Sequence, residues 1–272
     1  MVKCLQTLKT GDNGKTVAGW DLSPRASGDI ACTPFFMIVE PQQHTVNRVD
    51  AILRLKVTVM SGPLDIVRSI HNALRRDVSQ IDAETYKVAR NGGDLAPVFD
   101  RLSVVAEILD YHAQGEEAAV FPAVDNMTPL VARAYFLDHR ELDTMVDELQ
   151  AMRKMPDPLN TARATAVLAS HLRIHLDKED VHLYPILRER TTESEQASIV
   201  GLMSKKVPPE KFPTLVKWLL PLLDFDDKVI IVEGWMKLMP PQAFAGLKPL
   251  MKNIIAEDWS KLAQRIPYLD NK

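Results

Sequence analysis

An eleven-residue motif that occurs twice constrains the fold of this chain more than any other feature. The segments "HAQGEEAAVFP" at residues 112–122 and "HLDKEDVHLYP" at residues 175–185 share one pattern: His, three residues, Glu, an acidic residue, two residues, an aliphatic residue, an aromatic residue and Pro. On a helix, positions i and i+4 lie on one face about one turn apart. The pattern therefore predicts two helices, each presenting a histidine and a glutamate side by side.

Apolar residues recur at three- and four-residue spacing around the two motifs, which is typical of amphipathic helices. The predicted helices span about residues 64–90, 95–122, 129–155 and 159–190. The connections between them are about six residues or shorter, and short connections between long helices favour antiparallel neighbours. The sequence therefore predicts an all-α fold, with an antiparallel four-helix bundle over residues 64–190.

The segment before the bundle has a different character. Residues 1–33 are rich in Gly, Thr, Asp and Ser and show no sustained period, which predicts an extended or poorly ordered arm. In residues 34–60 the apolar positions fit both a strand and a helix, and we favour a helix because the rest of the chain is helical. We treat residues 1–63 as one N-terminal segment.

Prolines divide the segment after the bundle, residues 191–272, into short amphipathic stretches. Because proline ends or kinks a helix, this pattern predicts a C-terminal extension of short helices. Trp218, Trp235 and Trp259 lie in these stretches and are expected to pack between the short helices and the bundle. The same extension is a candidate surface for a protein partner.

The overall composition narrows the classes of partner. The 33 basic and 36 acidic residues give a net charge of −3, so the charge balance does not favour nucleic acid. The two cysteines, Cys4 and Cys32, are too few for a disulfide framework or a cysteine-based zinc module. The most apolar stretch is broken by Pro221 and is too short to span a bilayer, and the N-terminus has no signal-peptide core. The composition predicts a cytoplasmic protein that binds neither membrane nor nucleic acid.

Two further histidines occupy equivalent places on the other two predicted helices. His71 lies on the apolar stripe of the first helix and His139 on that of the third. The six candidate metal ligands are His71, His112, Glu116, His139, His175 and Glu179. Burying these groups without partners would cost on the order of several kcal/mol each. A pair of metal ions would neutralise the carboxylates and use the imidazole lone pairs, so the sequence predicts a dinuclear metal centre.

The segments that carry these ligands resemble a known family. "SIHNALRRD", "DYHAQGEEAAVFPAVD", "DHRELDTMVDEL" and "SHLRIHLDKEDVHLYPIL" are similar to the four helices of hemerythrin-like (HHE cation-binding) domains, and the similarity covers residues 64–190. The resemblance implies a non-haem centre of two iron ions, with the four histidines as terminal ligands and Glu116 and Glu179 as bridges. Ligand type alone does not separate neighbouring divalent metals, so manganese or a mixed pair is an alternative.

One position departs from the oxygen-carrying members of the family. Those proteins have His-x-x-x-His on the third helix, where this chain has His139 followed by Asp143. An imidazole is missing or replaced by a carboxylate, a pattern closer to the hemerythrin-like domains of eukaryotic iron-sensing ubiquitin ligases. We recognise no F-box and no Cys-rich zinc-binding region, so the ligase role is not carried over. The expected consequence is an exchangeable position on at least one metal ion.

Residues near the predicted ligands are open to more than one role. His182 is a candidate extra ligand or a hydrogen-bond partner of one, and because the first motif has alanine at its place, we expect the two metal positions to differ there. His171 is expected to be a hydrogen-bonded core histidine. Tyr135 is expected to pack in the core, with donation to a bound oxygen species as the alternative. Glu117 and Asp180 are expected to be solvated or to support a ligand.

Two hypotheses about function follow from such a centre. In the first, the chain is an oxidoreductase that reacts with O₂, peroxide or NO, or oxygenates a small organic molecule. In the second, it binds or senses O₂, NO or iron and acts on a protein partner through residues 191–272. A sensor needs an output, and we recognise no DNA-binding, kinase or zinc module, so the oxidoreductase is favoured.

Overall fold

A computed structural model describes residues 62–270, together with the backbone of four short strands nearer the N-terminus. The strands are β1 Lys9–Thr10, β2 Thr16–Val17, β3 Leu22–Pro24 and β4 Ile30–Cys32, and they pair antiparallel as β1 with β2 and β3 with β4. The helix expected in residues 34–60, and most of the arm expected before it, lie outside the described residues. The chain divides into two compact units, Met1–Val59 and Met60–Lys272.

Residues 62–270 are helical almost throughout, and the all-α prediction is confirmed for them. The α-helices are α1 Asp65–Asn91, α2 Ala96–Gly115, α3 Phe121–Met127, α4 Ala132–Met152, α5 Pro158–Lys178, α6 Tyr184–Arg190, α7 Glu193–Ser204, α8 Phe212–Leu222, α9 Phe225–Leu238, α10 Pro241–Ile254 and α11 Ala256–Arg265. Two π-helical turns, Glu116–Val120 and Glu179–Leu183, join α2 to α3 and α5 to α6, and a 3-10 turn, Pro209–Lys211, precedes α8. None of the described helices is long and apolar enough to cross a membrane.

The four long helices of the prediction form the bundle. Helix α1 packs against α2 and α5, and α4 also packs against α2 and α5, so the four surround one core. The Asp157 carboxylate caps the start of α5 by accepting the Asn160 amide. Before α1, the Asp65 carboxylate accepts the amide of Gly62, which lies outside the helix.

The prolines of the repeated motif do not end the helices, contrary to the prediction that the second helix stops near Pro122. The helical chain continues beyond Pro122 as α3 and beyond Pro185 as α6. Proline has no amide hydrogen and crowds the carbonyl four residues earlier, so it disrupts an ordinary α-turn. A wider π turn precedes each proline, and in it the amide of Phe121 or Tyr184 donates to the carbonyl five residues back. The repeated motif thus encodes a π turn.

Two apolar residues of the bundle helices are exposed beside buried neighbours. Phe136 of α4 is 42% exposed and Val167 of α5 is 47% exposed. Phe136 lies beneath the guanidinium of Arg140. Their sequence neighbours Tyr135 and Leu168 are buried. The buried faces of α4 and α5 therefore leave out these two positions.

The C-terminal helices share an apolar core with one end of the bundle. Helix α7 packs against α2 and the first π turn, while α8 and α9 pack against α1. Trp235 and Trp259 are buried in this core, and Trp218 donates its indole N–H to Asp77 of α1. All three tryptophans are therefore packing residues, and the contact with a bundle helix predicted for them is made directly by Trp218.

Candidate metal centre

The six predicted ligands meet in the interior of the bundle, where each has an exposed fraction of 7% or less. They form two groups of four, and the ligating atoms of each group lie within 4.8 Å of one another. The first group is His71, His112, Glu116 and Glu179, and the second is His139, His175, Glu116 and Glu179. We call the space beside His71 and His112 the first position and the space beside His139 and His175 the second position. The two positions share both carboxylates.

Each shared carboxylate turns one oxygen towards each position. Oε1 of Glu116 lies 3.4 Å from Nε2 of His112, and its Oε2 lies 3.3 Å from Nε2 of His139. Glu179 is divided in the same way. Its Oε2 lies 3.6 Å from Nε2 of His71, and its Oε1 lies 3.3 Å from the second-position histidine one turn earlier. Carboxylates divided like this are placed to bridge two cations.

Several buried polar atoms of the cluster have no hydrogen-bond partner among the described residues. They are Oε2 of Glu116, both carboxylate oxygens of Glu179 and Nε2 of His139. Buried polar groups are normally paired, because an unpaired one costs free energy. Within residues 62–270 the ion pairs of Glu116 and Glu179 involve histidine and no Lys or Arg. Bound cations would satisfy these atoms, so the donor set fits two divalent metal ions.

Three of the four histidines are oriented by a carboxylate on Nδ1, the ring nitrogen that faces away from the cluster. The pairs are His71 with Asp180 at 2.9 Å, His139 with Glu117 at 3.1 Å and His175 with Asp138 at 3.2 Å. An Nδ1–H donated to a carboxylate fixes the tautomer in which Nε2 carries the lone pair, and it makes the ring a stronger metal ligand. Glu117 and Asp180 thus support ligand histidines, and Asp138 does so without having been anticipated.

Each of these three supporting carboxylates also pairs with a basic side chain. The pairs are Asp180 with Arg75 at 2.6 Å, Glu117 with Arg140, and Asp138 with Lys178. Burial tends to raise the pKa of Asp180, but His71 and Arg75 outweigh it and hold the pKa below its usual value. The outer carboxylates are therefore neutralised by the protein. Only the two inner ones are left for metal ions.

Burial prepares the inner groups for cations. It lowers the pKa of His175 to about 4, so this imidazole is neutral near pH 7 and its lone pair is free. Burial and the charge of Glu116 raise the pKa of Glu179 well above its usual value. Burial acts in the same direction on Glu116, but the neighbouring histidines outweigh it and hold that pKa well below its usual value. The metal-free pair thus favours one retained proton, which a cation would displace.

Tyr184, like Asp138, is a residue of the site that the sequence analysis missed. It is buried, its hydroxyl donates to Oε1 of Glu116 at 2.6 Å, and its ring lies edge-on to His71. Tyr184 is the aromatic residue of the second motif. Its counterpart in the first motif, Phe121, stacks on His139 with ring centres 5.1 Å apart and offers no hydroxyl. The exchange of Phe for Tyr was visible in the sequence, but nothing there indicated that these rings face the cluster.

Two histidines expected near the cluster are exposed instead. His182 lies in the second π turn, is exposed and belongs to neither ligand group, so the structure does not bring it to the cluster. The extra residue of a π turn moves later side chains by about 100° around the helix axis, which takes His182 off the inward face. His171 of α5 is also exposed, so its predicted place in the core is wrong. The two positions differ at Tyr184, not at His182.

Asp143 and Tyr135 also lie outside the ligand groups. Asp143 is half-buried and pairs with Arg140 at 2.9 Å, so it does not stand in for the missing imidazole. Tyr135 is buried, and its hydroxyl donates to the backbone carbonyl of Lys178 at 3.3 Å. That bond agrees with the packing role expected for Tyr135. It also occupies the O–H that donation to a bound oxygen species would need.

Two surface cavities of the described chain lie away from the cluster. The larger, of about 310 Å³, is lined by Leu95, Phe99, Arg153 and other residues at the junction of two helix connections. The smaller, of about 100 Å³, lies between the start of α1 and α9. None of the six predicted ligands lines either cavity. The six predicted ligands are themselves buried in the bundle.

Comparison with known proteins agrees with this geometry. Residues 62–187 match the hemerythrin HHE cation binding domain. The zinc finger protein BRUTUS of Arabidopsis thaliana is 24% identical over 54% of this chain, and two BRUTUS-like zinc finger proteins of the same plant are 20% and 21% identical over 64% and 66% of it. The matched regions are 12 to 16% of these relatives, so the chain spans a small part of their length. No solved structure matches the chain.

The family match and the cluster coincide. All six predicted ligands lie inside the matched span and converge in the bundle. The two π turns that carry the shared carboxylates lie inside it as well. Residues 62–187, which match the hemerythrin HHE cation binding domain, are thus also the residues that form the cluster.

Proposed function

We propose that the chain binds two iron ions, one at each position, and reacts with O₂, peroxide or NO as an oxidoreductase. His71 and His112 would hold the first ion, and His139 and His175 would hold the second. Glu116 and Glu179 would each serve both ions. The observation that supports this most directly is the division of each carboxylate between two histidine pairs. A mononuclear site would not need a second pair of buried imidazoles on the far side of the same carboxylates.

The donor set supports iron. Mixed imidazole and carboxylate ligands suit iron, whereas structural zinc and Cu(I) sites more often use thiolates. No cysteine lies within residues 62–270. Manganese, alone or paired with iron, uses the same ligands, and metal analysis of the purified protein distinguishes these cases.

The protein environment supports chemistry on small molecules. Two adjacent ferrous ions that share carboxylates supply electrons to a small oxidant. The chain's own residues exclude bulk water from the cluster, and Tyr184 holds a hydroxyl proton at Oε1 of Glu116. Because neither cavity reaches the cluster, we restrict the proposal to O₂, peroxide and NO. The organic substrate considered from the sequence is not part of it.

The test is to load the metal-free protein anaerobically with Fe(II) and to record its absorption spectrum as O₂, peroxide or NO is added. We expect about two iron ions per chain and a visible absorption change that decays with consumption of the added molecule. Glu116→Gln should abolish both, while Glu148→Gln, at an exposed position of α4, should behave like the wild type. Binding of fewer than two ions, or loading without any spectral change, contradicts the proposal.

A second candidate function, sensing through the C-terminal helices, is supported by a separate observation. Asp227 of α9 accepts hydrogen bonds from Ser69 at 2.9 Å and Asn72 at 3.0 Å, on either side of His71. Gly115, which precedes Glu116, approaches Met203 of α7 so closely that an added Cβ would lie 3.2 Å from the Met203 side chain. The C-terminal helices therefore contact the residues next to two of the predicted ligands.

Hydrogen exchange of α7 and α9 tests the sensing function. If occupancy of the cluster is transmitted, the amides of both helices should exchange more slowly in the iron-loaded protein than in the metal-free protein. Helix α11, whose main packing partners are α9 and α10, provides an internal reference. Identical exchange of α7 and α9 in the two states would reject the sensing function and leave the oxidoreductase.

A further inference from the structure

We infer that the two metal positions are not equivalent: the second position binds its ion first and tightly, and the first position binds an exchangeable ion. Asp138 and Ile70 are the positioning residues that create this difference. The inference rests on the proposed dinuclear function and specifies the order in which the two metal positions are loaded. It is carried by two contacts that the repeated motifs do not share.

The first contact is the carboxylate on Nδ1 of the motif histidine. In the second half of the bundle, Asp138 directly precedes His139 and reaches Nδ1 of His175 at 3.2 Å. The residue in the equivalent place of the first half is Ile70, which directly precedes His71. An isoleucine cannot accept a hydrogen bond. Within residues 62–270, Nδ1 of His112 accordingly has no hydrogen-bond partner.

This difference weakens the first position. A carboxylate on Nδ1 orients the imidazole and increases its basicity, and removal of such a partner typically costs about 10- to 100-fold in metal affinity. At the second position both histidines have the support, from Glu117 and Asp138. At the first position only one histidine, His71, has it.

The second contact lies between the first-position histidines themselves. Nε2 of His71 and Nε2 of His112 form a hydrogen bond of 3.0 Å, so both ligating atoms are engaged with each other. That bond has to break before both lone pairs can face an ion. At the second position Nε2 of His139 has no hydrogen-bond partner in the described chain and is already available. Both contacts therefore favour loading of the second position before the first.

The experiment is a stepwise calorimetric titration of the metal-free 272-residue chain with Fe(II) under anaerobic conditions. We expect two binding steps whose dissociation constants differ by about tenfold or more. His112→Ala should remove the weaker step and keep the tighter one. His175→Ala should remove the tighter step.

A milder pair of variants keeps the inference testable if either alanine variant fails to fold. Asp138→Asn should weaken the tighter step by about 10- to 100-fold and leave the weaker step unchanged, so that the two constants approach each other. Asp143→Asn is the matched control, because Asp143 lies on the same helix and pairs with Arg140 instead of a histidine. It should change neither step.

The outcomes separate the inference from the function on which it rests. Two steps of equal affinity in the wild type would overturn the inference while the dinuclear function stands. So would weakening of only the weaker step by Asp138→Asn. Fewer than two bound ions in the wild type would overturn the dinuclear function and the inference together.

Discussion

The two halves of the bundle carry the same motif in different surroundings. In both halves a histidine lies one turn before a glutamate. The glutamate is the first residue of a π turn, and a proline follows shortly after that turn. The first half is packed against α7, α8 and α9, and its motif histidine has Ile70 at the place of a supporting carboxylate. The second half has Asp138 there. Ala119 of the first motif is buried beside α7, whereas His182, at the same place in the second motif, is exposed to solvent.

From this comparison we infer that a repeated set of candidate ligands does not make two equivalent metal positions. The ligands are fixed by helical spacing within each motif. Their strength depends on side chains from other helices, which did not have to be repeated. The shared carboxylates belong to both halves and the histidines to one half each, and this distinction can be tested directly.

The largest expected effect comes from removing a shared ligand. Glu116→Ala and Glu179→Ala should each reduce the iron content from about two ions per chain to less than one, because each carboxylate serves both positions. Removing a histidine should remove only one ion. His182→Ala is the control and should retain both, since His182 is exposed. Metal analysis after gel filtration gives the stoichiometry, and loss of an ion from His182→Ala would contradict the placement of that residue.

Tyr184→Phe makes the second motif more like the first and should destabilise the metal-free protein. It leaves Oε1 of Glu116 without the hydroxyl that donates to it, and an unsatisfied buried acceptor costs about 1–3 kcal/mol. Urea denaturation measures the free energy of unfolding. Tyr135→Phe, whose hydroxyl bonds a backbone carbonyl at the longer distance of 3.3 Å, should cost less. Equal costs would show that the bond to Glu116 has no special weight.

Acid should weaken metal binding through the carboxylate that both halves share. The pKa of Glu179 is raised well above its usual 4.5 by burial and by Glu116, so below the raised value an ion has to displace its proton. The dissociation constant of the proton-releasing step should therefore rise about tenfold for each unit of falling pH. Above the raised pKa, the protonation of Glu179 should no longer change the dissociation constant. Titrations at several pH values measure the slope, and tighter binding in acid would contradict the account.

The smallest expected effect comes from restoring the missing carboxylate. Ile70→Asp would place an acidic side chain where Asp138 stands in the other half, and it should strengthen the weaker step by about tenfold or less, since neighbouring side chains are not arranged to hold it. Ile70→Asn is the control, because it has the same size without the charge. The same calorimetric titration reports both. A gain in the tighter step alone would show that Ile70 does not act on the first position.

The sequence by itself determined the helices and the ligands. Apolar periodicity predicted both ends of α1 to within about one residue. The spacing within the motifs predicted that His112 lies beside Glu116 and His175 beside Glu179. These features depend on the geometry of a single helix, which repeats regularly and can be read along the chain. Each predicted ligand lies on the inward face of its own helix, and packing of the four helices around one core brings all six into one cluster.

Only the tertiary structure decided which side chains surround the ligands. Asp138 reaches His175 and Tyr184 reaches Glu116 across the bundle, and no spacing along the chain encodes a contact between separate helices. The π turns add a second reason, because each shifts the helical phase by about 100° and undoes the periodicity that had placed His182 inside. The local sequence thus places the candidate ligands on their helices, while the packing of the helices decides which side chains surround them.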